Sequence, residues 1–411
     1  MSGDNTIGEA LRRIRRERSL TQSELAERAE VSRDLVAKLE QGSRQSARLT
    51  SLAKLATALD VPVSELTGRR PRLDGRRGGP SVLAIRDVLL SSSHLPGFAA
   101  YEYEYEGGEP MPPDDLRAAV AEAARMYWAG KFPDLATALP GLIMEARLTR
   151  RESGADAATP LALAYDLAAS LMVHMGKEDL AAIGAERAIV AAAEGDDRLL
   201  HATLHATFAW TLLHQGRLEE AENIAARVAA GVEPSFSGPT HDIAVWGNLL
   251  MTALAPAAAA GRDVSEYISL ASAAAGRIGQ RVKIYQTSFG PATVQMQATH
   301  AYAVRREPSL ALEAARKIGP DDLQGISRGR HLLDVAQAHV DARHRKTAVS
   351  ALLEARAVSP VWFRHQGVAR SLVAGIREHE QRLSPVIRDL ARSVDLGGKD
   401  GFTREPAARL V

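Results

Sequence analysis

Cysteine is absent from the 411 residues, and this absence excludes disulfide scaffolds, cysteine-ligated zinc fingers, iron–sulfur clusters and thiol catalysis. The chain also lacks any run approaching about 18 uninterrupted apolar residues, and its N-terminus has no apolar core of signal-peptide length. We therefore expect a soluble, cytoplasmic protein that does not associate with a membrane.

Short motifs that carry catalytic or metal chemistry are also missing. The sequence contains no Walker phosphate loop, no GxSxG elbow, no HExxH and no Asp-rich metal box. His201 and His205 have a helical spacing that suits a metal ion, but no acidic residue accompanies them, so we interpret them as surface histidines. The sequence predicts neither an enzyme nor a bound metal or cofactor.

The charge is unevenly distributed along the chain. Residues 1–80 carry 16 basic and 11 acidic residues, a balance of +5, whereas residues 81–411 carry 35 and 39, a balance of −4. A small basic head on a larger acidic remainder suggests a polyanionic partner for the head alone. Only 8 of the 51 basic residues are lysine, so general arginine enrichment is an alternative explanation.

Five short helices are predicted in the head, which we define as residues 1–67. Thr21 to Glu24 form a full capping box, with a hydroxyl first and a glutamate three residues later, which marks the start of the second helix. Ser32 caps the third helix, and Gly42 ends it as a left-handed terminator. The other predicted helices run from Thr6 to about Arg18, over about 47–59, and over 63–66 after Pro62.

Residues 20–42, LTQSELAERAEVSRDLVAKLEQG, join two of these helices by a short turn, with Ala26 small enough for a steep crossing. This segment resembles the helix-turn-helix of phage Cro and repressor proteins, the Xre family, and the resemblance extends from Ile7 to Leu66. It implies a domain whose third helix enters the major groove of DNA with its first turn leading. Glu30 and Asp60 stand at positions where the family usually has glycine. A left-handed backbone conformation at a residue other than glycine costs about 1 kcal/mol. We therefore expect a turn at Glu30 that is slightly strained or adjusted, with the motif retained.

The resemblance also implies roles for individual residues. Gln22 matches a residue that contacts a phosphate, while Arg33, Asp34 and Lys38 match positions that reach base edges. An alternative for Asp34 is that it only favours the helix dipole from the first turn. The complete implied DNA-contacting set is Thr21, Gln22, Ser32, Arg33, Asp34, Lys38, Ser43, Arg44 and Gln45.

Two architectural features follow from the same resemblance. Arg15 and Glu40 match an ion pair that ties the first helix to the third, so their role is structural. One head covers too few bases for high specificity, so the partner is expected to be double-stranded operator DNA bound by a homodimer. The segment 81–106 and the helical repeats are both candidates for the dimer contact.

Residues 68–80 are rich in Gly, Pro and Arg and predict a flexible linker. Residues 81–113 form a connecting segment and a possible dimerisation segment, with a helix over 81–90 and an alternation at Tyr101–Glu106 that fits a short strand or an ordered arm. The tail, 396–411, is expected to be disordered.

Residues 114–395, which we call the solenoid, are Ala-rich and helical, with no convincing strand. Short turn signals recur in them at intervals of about 37 to 46 residues. Such a period indicates an α-solenoid of tetratricopeptide-like helix pairs, so the predicted fold class is all-α throughout.

A helix-turn-helix followed by such repeats resembles the peptide-sensing regulators of Gram-positive bacteria and the repeat-bearing regulators of actinobacteria that control development and secondary metabolism. The resemblance implies a small-molecule or peptide effector. In the peptide sensors, asparagine side chains clamp the peptide backbone, and here only Asn223 and Asn248 lie beyond the N-terminus to do so. A scaffold that docks a sigma or anti-sigma factor is the alternative. Residues that are candidates for the ligand groove, or else for ordinary packing, are Trp210, His214, Trp246, Asn248, Tyr285, Phe289, Gln295 and His300.

Overall fold

The structure is a computed structural model that describes residues 7–43, 47, 49–61, 63–67, 82–91, 110–378 and 384–396. These residues are almost entirely helical, which confirms the predicted all-α class. Four predicted features lie outside the described residues: the Thr6 cap, the linker 68–80, the alternation at Tyr101–Glu106 and the tail beyond residue 396.

The head folds into five helices around its own small apolar core. Thr21 and Glu24 exchange both hydrogen bonds of the capping box, with Thr21 N–H 2.7 Å from Glu24 Oε2 and Glu24 N–H 3.2 Å from Thr21 Oγ1. Ser32 Oγ accepts from Leu35 N–H, and Gly42 is left-handed, so the predicted start and end of the third helix are confirmed. The helices are α1 (Ile7–Glu17), α2 (Gln22–Arg28), α3 (Arg33–Glu40), α4 (Leu49–Leu59) and α5 (Val63–Thr67).

The turn between α2 and α3 keeps its motif geometry without glycine. Glu30 adopts φ 48°, and Asp60 after α4 adopts φ 57°, so both take the left-handed conformation expected at these positions. Glu30 is also held at 2.9 Å by the ammonium of Lys54 on α4. An exposed pair of this kind offsets only part of the backbone cost at Glu30.

Twelve helices of the solenoid form six antiparallel pairs. The turn inside each of the first four pairs is a left-handed glycine, because only glycine adopts that conformation without strain: Gly130, Gly176, Gly216 and Gly261. Arg306 takes the same conformation in the fifth pair, and Arg343 takes it in the sixth. The pairs are α7 (Pro113–Trp128) with α8 (Phe132–Ser153), α9 (Ala158–His174) with α10 (Glu178–Ala193), α11 (Arg198–Gln215) with α12 (Leu218–Gly231), α13 (Thr240–Ala260) with α14 (Ser265–Ile278), α15 (Pro291–Val304) with α16 (Pro308–Arg316), and α17 (Gly325–Asp341) with α18 (Arg345–Val358).

The first helix of each pair belongs to an inner layer that closes on itself. Each of these helices packs against the next, from α7 through α17, and α17 packs back against α7. Ser359 Oγ donates to the carbonyl of Gly130 at 3.1 Å across this closure, and a side chain on Gly325 would overlap the carbonyl of Trp128. The C-terminal helices α19 (Pro360–Arg364), α20 (Gly367–Glu378) and α21 (Pro385–Ser393) continue the same core.

A small antiparallel ribbon interrupts the helices between α14 and α15, where the sequence predicted no convincing strand. Its strands are β1 (Val282–Ile284) and β2 (Thr287–Phe289), with Val282 opposite Phe289. Phe289 is fully buried above Gly247, where a side chain on residue 247 would overlap the phenyl ring. Three-residue strands are too short to register as a period, so the tertiary contact of Phe289 decides this conformation.

The helix predicted over 81–90 is present as α6 (Val82–Leu89) and packs on α8, where Arg147 donates to the carbonyl of Val88 at 2.7 Å.

Helix α13 is long and apolar enough to cross a membrane, but 72% of its most apolar 18-residue window is buried. Because α11, α12, α14 and α15 all pack against it, α13 has the environment of a core helix.

The head packs against the solenoid through α4 and α5, which contact α13 and α11 respectively. Gly216 lies within this contact, where an added Cβ would overlap that of Ala53 and lie 3.5 Å from Val63 Cγ2. Helix α3 packs instead on α1 and α2. Its first turn is therefore not covered by the solenoid.

Candidate nucleic-acid interface and ligand groove

The first turn of α3 presents polar side chains to solvent, while the opposite face of the helix is buried. Ser32, Arg33 and Asp34 are exposed, whereas Val36 and Leu39 are fully buried in the head core. This arrangement follows from the sequence. Val36 and Leu39 are three residues apart and lie on one face of the helix, so Arg33 and Asp34, the first two residues after the cap, lie outside that face. The geometry offers a helix N-terminus with an exposed guanidinium, which suits the major groove of DNA.

Lys38 and Asp34 lie on one face of α3, one turn apart, and are joined as an ion pair. The Lys38 Nζ is 2.7 Å from Asp34 Oδ2, and both side chains are more than half exposed. The sequence predicted that both residues point outward but not that they bind each other. Lys38 must leave this carboxylate before it can contact a base or a phosphate.

Glu40 is the hub of a polar cluster between α1, α2 and α3. Its carboxylate accepts from Arg15 Nε at 2.6 Å and Nη2 at 2.8 Å, so the pair implied by the resemblance is bidentate. Gln22 Nε2 also donates to Glu40, at 2.8 Å, a contact that the sequence did not predict. Burial acts to raise the pKa of Glu40, but the hydrogen bonds from Arg15 and Gln22 outweigh it and the pKa is lowered. Gln22 therefore reaches the surface with its amide already oriented.

The remaining head residues of the implied DNA-contacting set have local roles in the structure. Thr21 and Ser32 use their hydroxyls as helix caps. Ser43 is exposed and donates to the carbonyl of Lys38 at 3.1 Å, which closes the end of α3. Arg44 and Gln45 lie outside the described residues.

Trp210 on α11 is the centre of an aromatic and imidazole cluster on the inner layer. Its ring lies edge-on to His174 of α9 at 5.4 Å and to His214 at 5.0 Å. His174 Nε2 lies 3.2 Å from the hydroxyl of Tyr127 on α7. The cluster thus joins α7, α9 and α11, and Trp210 and His214 remain partly accessible.

The other predicted groove residues fall into two groups. Asn248, Gln295 and His300 are half-buried on α13 and α15, and His300 Nδ1 contacts Asp334 Oδ1 of α17 at 3.0 Å. Trp246 and Tyr285 pack partly against apolar cores, and the Tyr285 hydroxyl donates to Asp197. Phe289 belongs to neither group: its ring is fully buried in the core, which agrees with the alternative of ordinary packing.

His201 and His205 stack at 4.7 Å, and His205 Nδ1 lies 2.8 Å from the carbonyl of His201. Burial and the neighbouring imidazole lower the pKa of His201. Across the part of the chain that the structure describes, no three His, Asp or Glu side chains are grouped to hold a metal ion.

Asp166 on α9 is a buried carboxylate that sequence reasoning missed. Its Oδ1 has no hydrogen-bond partner among the described residues. Burial raises the pKa of Asp166 to about 6, although a hydrogen bond from Thr207 on α11 acts in the opposite direction. The available signal was a single acid within the otherwise apolar stretch from Leu161 to Val173.

We expect Asp166→Asn to stabilise the solenoid at pH 7 by about 3 kcal/mol, because the pKa is raised by about two units. The folded-state pKa is raised, so the folded protein binds the proton more tightly and loses stability as the pH rises from about 4 to about 6. The variant should lack this loss in urea unfolding at pH 4.5 and 7.5. The exposed Asp156→Asn is the matched control, and an unchanged pH profile for Asp166→Asn would contradict the assignment.

Comparison with known families places the helix-turn-helix in the head. The family model described as "Helix-turn-helix" matches residues 11–66. The immunity repressor protein of Bacillus phage phi105 is 41% identical over 63 residues, which cover 15% of this chain and 43% of the repressor. An uncharacterized HTH-type transcriptional regulator, RghRB of Bacillus subtilis, is 29% identical over 109 residues, 24% of this chain and 78% of that protein. The chain thus spans less than half the length of the phage repressor.

Two solved structures are weakly similar to this chain. BtubC (BKLC) from P. vanneervenii is 14% identical, with a TM-score of 0.37, over 59% of this chain and 90% of that one. PlcR of Bacillus thuringiensis, solved with the peptide PapR7 and DNA, is 10% identical, with a TM-score of 0.37, over 83% of this chain and 99% of that one.

The head is a helix-turn-helix domain of the Cro/repressor (Xre) type, a DNA-binding domain found in transcriptional regulators. It is followed by an α-solenoid of helix pairs.

Proposed function

We propose that this protein is a transcriptional regulator that binds operator DNA as a homodimer and responds to a small molecule or peptide held by the solenoid. The observation that carries the proposal is the exposed turn of Ser32, Arg33 and Asp34 on a helix whose other face is buried. Such a turn leads into the major groove, where Arg33 can donate bidentately to guanine O6 and N7. Docking on the solenoid leaves this turn accessible.

Duplex selection with the full chain tests the DNA-binding part of the proposal. Enrichment of a near-palindrome from a random library, with an affinity that falls steeply between 50 and 200 mM salt, is the expected result. Each half-site should contribute the same base pattern, because two identical heads read it. Failure to enrich any sequence, together with salt-independent binding, would reject the proposal.

Asp34→Asn is expected to raise the affinity for random duplex DNA about three- to tenfold while reducing discrimination between sequences. The substitution removes the carboxylate that holds the Lys38 ammonium at 2.7 Å, so Lys38 becomes available to phosphates. The slope of log affinity against log salt should steepen by about one for each head, and therefore by about two for the dimer. Fluorescence anisotropy with random and selected duplexes at several salt concentrations measures both quantities.

Asp60→Asn is the matched control, because it makes the same change in the charge of the head at an exposed residue beyond α4. Equal effects of the two substitutions would mean that net charge, and not release of Lys38, determines the affinity.

The effector part of the proposal is supported by the cluster around Trp210, where partly accessible ring faces adjoin the imidazoles of His174 and His214. An aromatic wall beside polar groups is typical of pockets for small organic ligands and peptides. Native mass spectrometry of the purified chain should detect a retained mass that Trp210→Ala loses. If wild type and Trp210→Ala gave the same mass spectrum, with the same retained mass, the result would count against this site.

A further inference from the structure

Gly216 lies in the contact between head and solenoid, where it meets apolar side chains of the head. This glycine has φ 83°, ends α11, and lies so close to Ala53 of α4 that a Cβ on it would overlap the Ala53 Cβ and come within 3.3 Å of the Cα. Val63 of α5 borders the same point. The head therefore rests on this turn, and any side chain at residue 216 would push the head away from it.

The charged residues around this contact form ion pairs with partners in the same unit, head or solenoid. A cleft of about 710 Å³ opens beside Gly216 and is lined from both sides. On the head, Lys54 pairs with Glu30 at 2.9 Å, and on the solenoid, Arg217 pairs with Glu220 at 2.6 Å. The head contacts the solenoid through the two short helices α4 and α5, and contacts between domains of this kind permit docked and released arrangements that differ by a small free energy.

Docking constrains the orientation of the head without hiding its DNA-contacting turn. Helix α3 packs on α1 and α2, and Arg33 is exposed in the docked head. The affinity of one head for one half-site should therefore not depend on docking. The separation between two heads should depend on it, because only a docked head has a fixed position relative to its solenoid.

We propose that Gly216 is a positioning residue that determines which separation of operator half-sites the protein accepts. This inference rests on the proposed function as a dimeric DNA-binding protein. A docked head has one position relative to its solenoid, so a dimer presents its two α3 helices at one separation. Released heads sample many separations and should bind differently spaced half-sites almost equally.

The location of Gly216 also links this contact to the candidate ligand cluster. Helix α11 is continuous from Arg198 to Gln215, and Trp210 lies six residues before the docking turn, about 9 Å along the helix. A ligand that moves the Trp210 end of α11 would therefore displace the surface on which the head rests. Such a ligand would change the accepted half-site separation rather than the base preference within each half-site.

The experiment compares Gly216→Ala with Gly261→Ala in the full chain. Gly261 ends α13 with the same left-handed conformation, φ 77°, but the space around its Cβ position is open. Both substitutions thus carry the same backbone cost, and only the first disturbs the head. Ala53→Gln, which enlarges the head side of the contact, is a second disrupting variant should Gly216→Ala fold poorly.

Affinities are measured on selected half-sites whose separation is varied by single base pairs over one helical turn, and on a single half-site. Wild type and Gly261→Ala should prefer one separation by about tenfold or more. Gly216→Ala and Ala53→Gln should reduce this preference to about threefold or less, with the single half-site affinity unchanged. Because the chain has no cysteine, Arg16→Cys with Glu186→Cys allows spin-label distances to report docking directly in every variant.

Retention of the full separation preference by both disrupting variants, with broadened spin-label distances, would overturn the inference while leaving DNA binding intact. A wild type that binds a single half-site but shows no separation preference would also overturn it. A wild type that binds no selected DNA would instead reject the proposed function, so the two failures are distinguishable.

Discussion

Replacing Arg33 with alanine is expected to weaken operator binding by about a hundredfold or more. A bidentate contact between arginine and guanine provides about 1–3 kcal/mol of discrimination, and a dimer makes the contact twice. Arg33 is exposed at the first turn of α3, directly after the cap residue, so its removal leaves the head core intact. Binding to random duplex DNA should fall much less, since phosphate contacts from other residues remain.

Anisotropy titration of selected and random duplexes measures this difference, with Arg227→Ala as the control. Arg227 is an exposed arginine on α12, so the control makes the same change in net charge outside the head. Parallel loss of affinity for both duplexes, or an equal effect of Arg227→Ala, would show that Arg33 acts as a general cation and does not read a base.

Glu40→Ala is expected to destabilise the head by about 3–5 kcal/mol. The substitution leaves the Arg15 guanidinium, whose side chain is only 11% exposed, without its bidentate partner. It also leaves Gln22 without the acceptor that orients its amide. Amide hydrogen exchange in α1, α2 and α3 should report the loss, because the head has its own core and can open without the solenoid.

The control is Glu17→Ala, which removes an exposed partner of Arg13 and should cost well under 1 kcal/mol. The Glu40 contribution also has a defined pH dependence. Its folded-state pKa is lowered, so the stabilisation is complete above the ordinary carboxyl range and is lost as the pH falls through the folded-state value. Exchange rates in Glu40→Ala that match wild type at neutral pH would refute this role.

The local chemistry of the head could be predicted because its determinants lie within a few residues of one another. The Thr21 capping box, the Ser32 cap and the Gly42 terminator each depend on residues three to five positions apart, and all three are present. The left-handed Glu30 was predicted from the position of a glycine in the family that it resembles. Turn spacing likewise predicted the helix pairs of the solenoid.

Contacts between distant residues account for what the sequence did not predict. Gln22 and Glu40 are 18 residues apart, and no local pattern indicates that the amide would share the carboxylate with Arg15. Phe289 resembled a groove residue because aromatic and polar residues surround it, yet Gly247, 42 positions earlier, leaves the space that its ring fills. The burial of Asp166 could not be predicted without knowing which helices enclose α9.

Helix α7 meets α17 to close the inner layer, and this closure fixes the circumference of the solenoid. An open stack of repeats can gain or lose a unit at either end, but a ring of six inner helices cannot, because the seam between Gly130 and Ser359 would no longer align. Insertion or deletion of one helix pair should therefore impair folding of the whole ring. Relatives of this architecture would then vary in surface residues and connections while keeping the number of repeats constant.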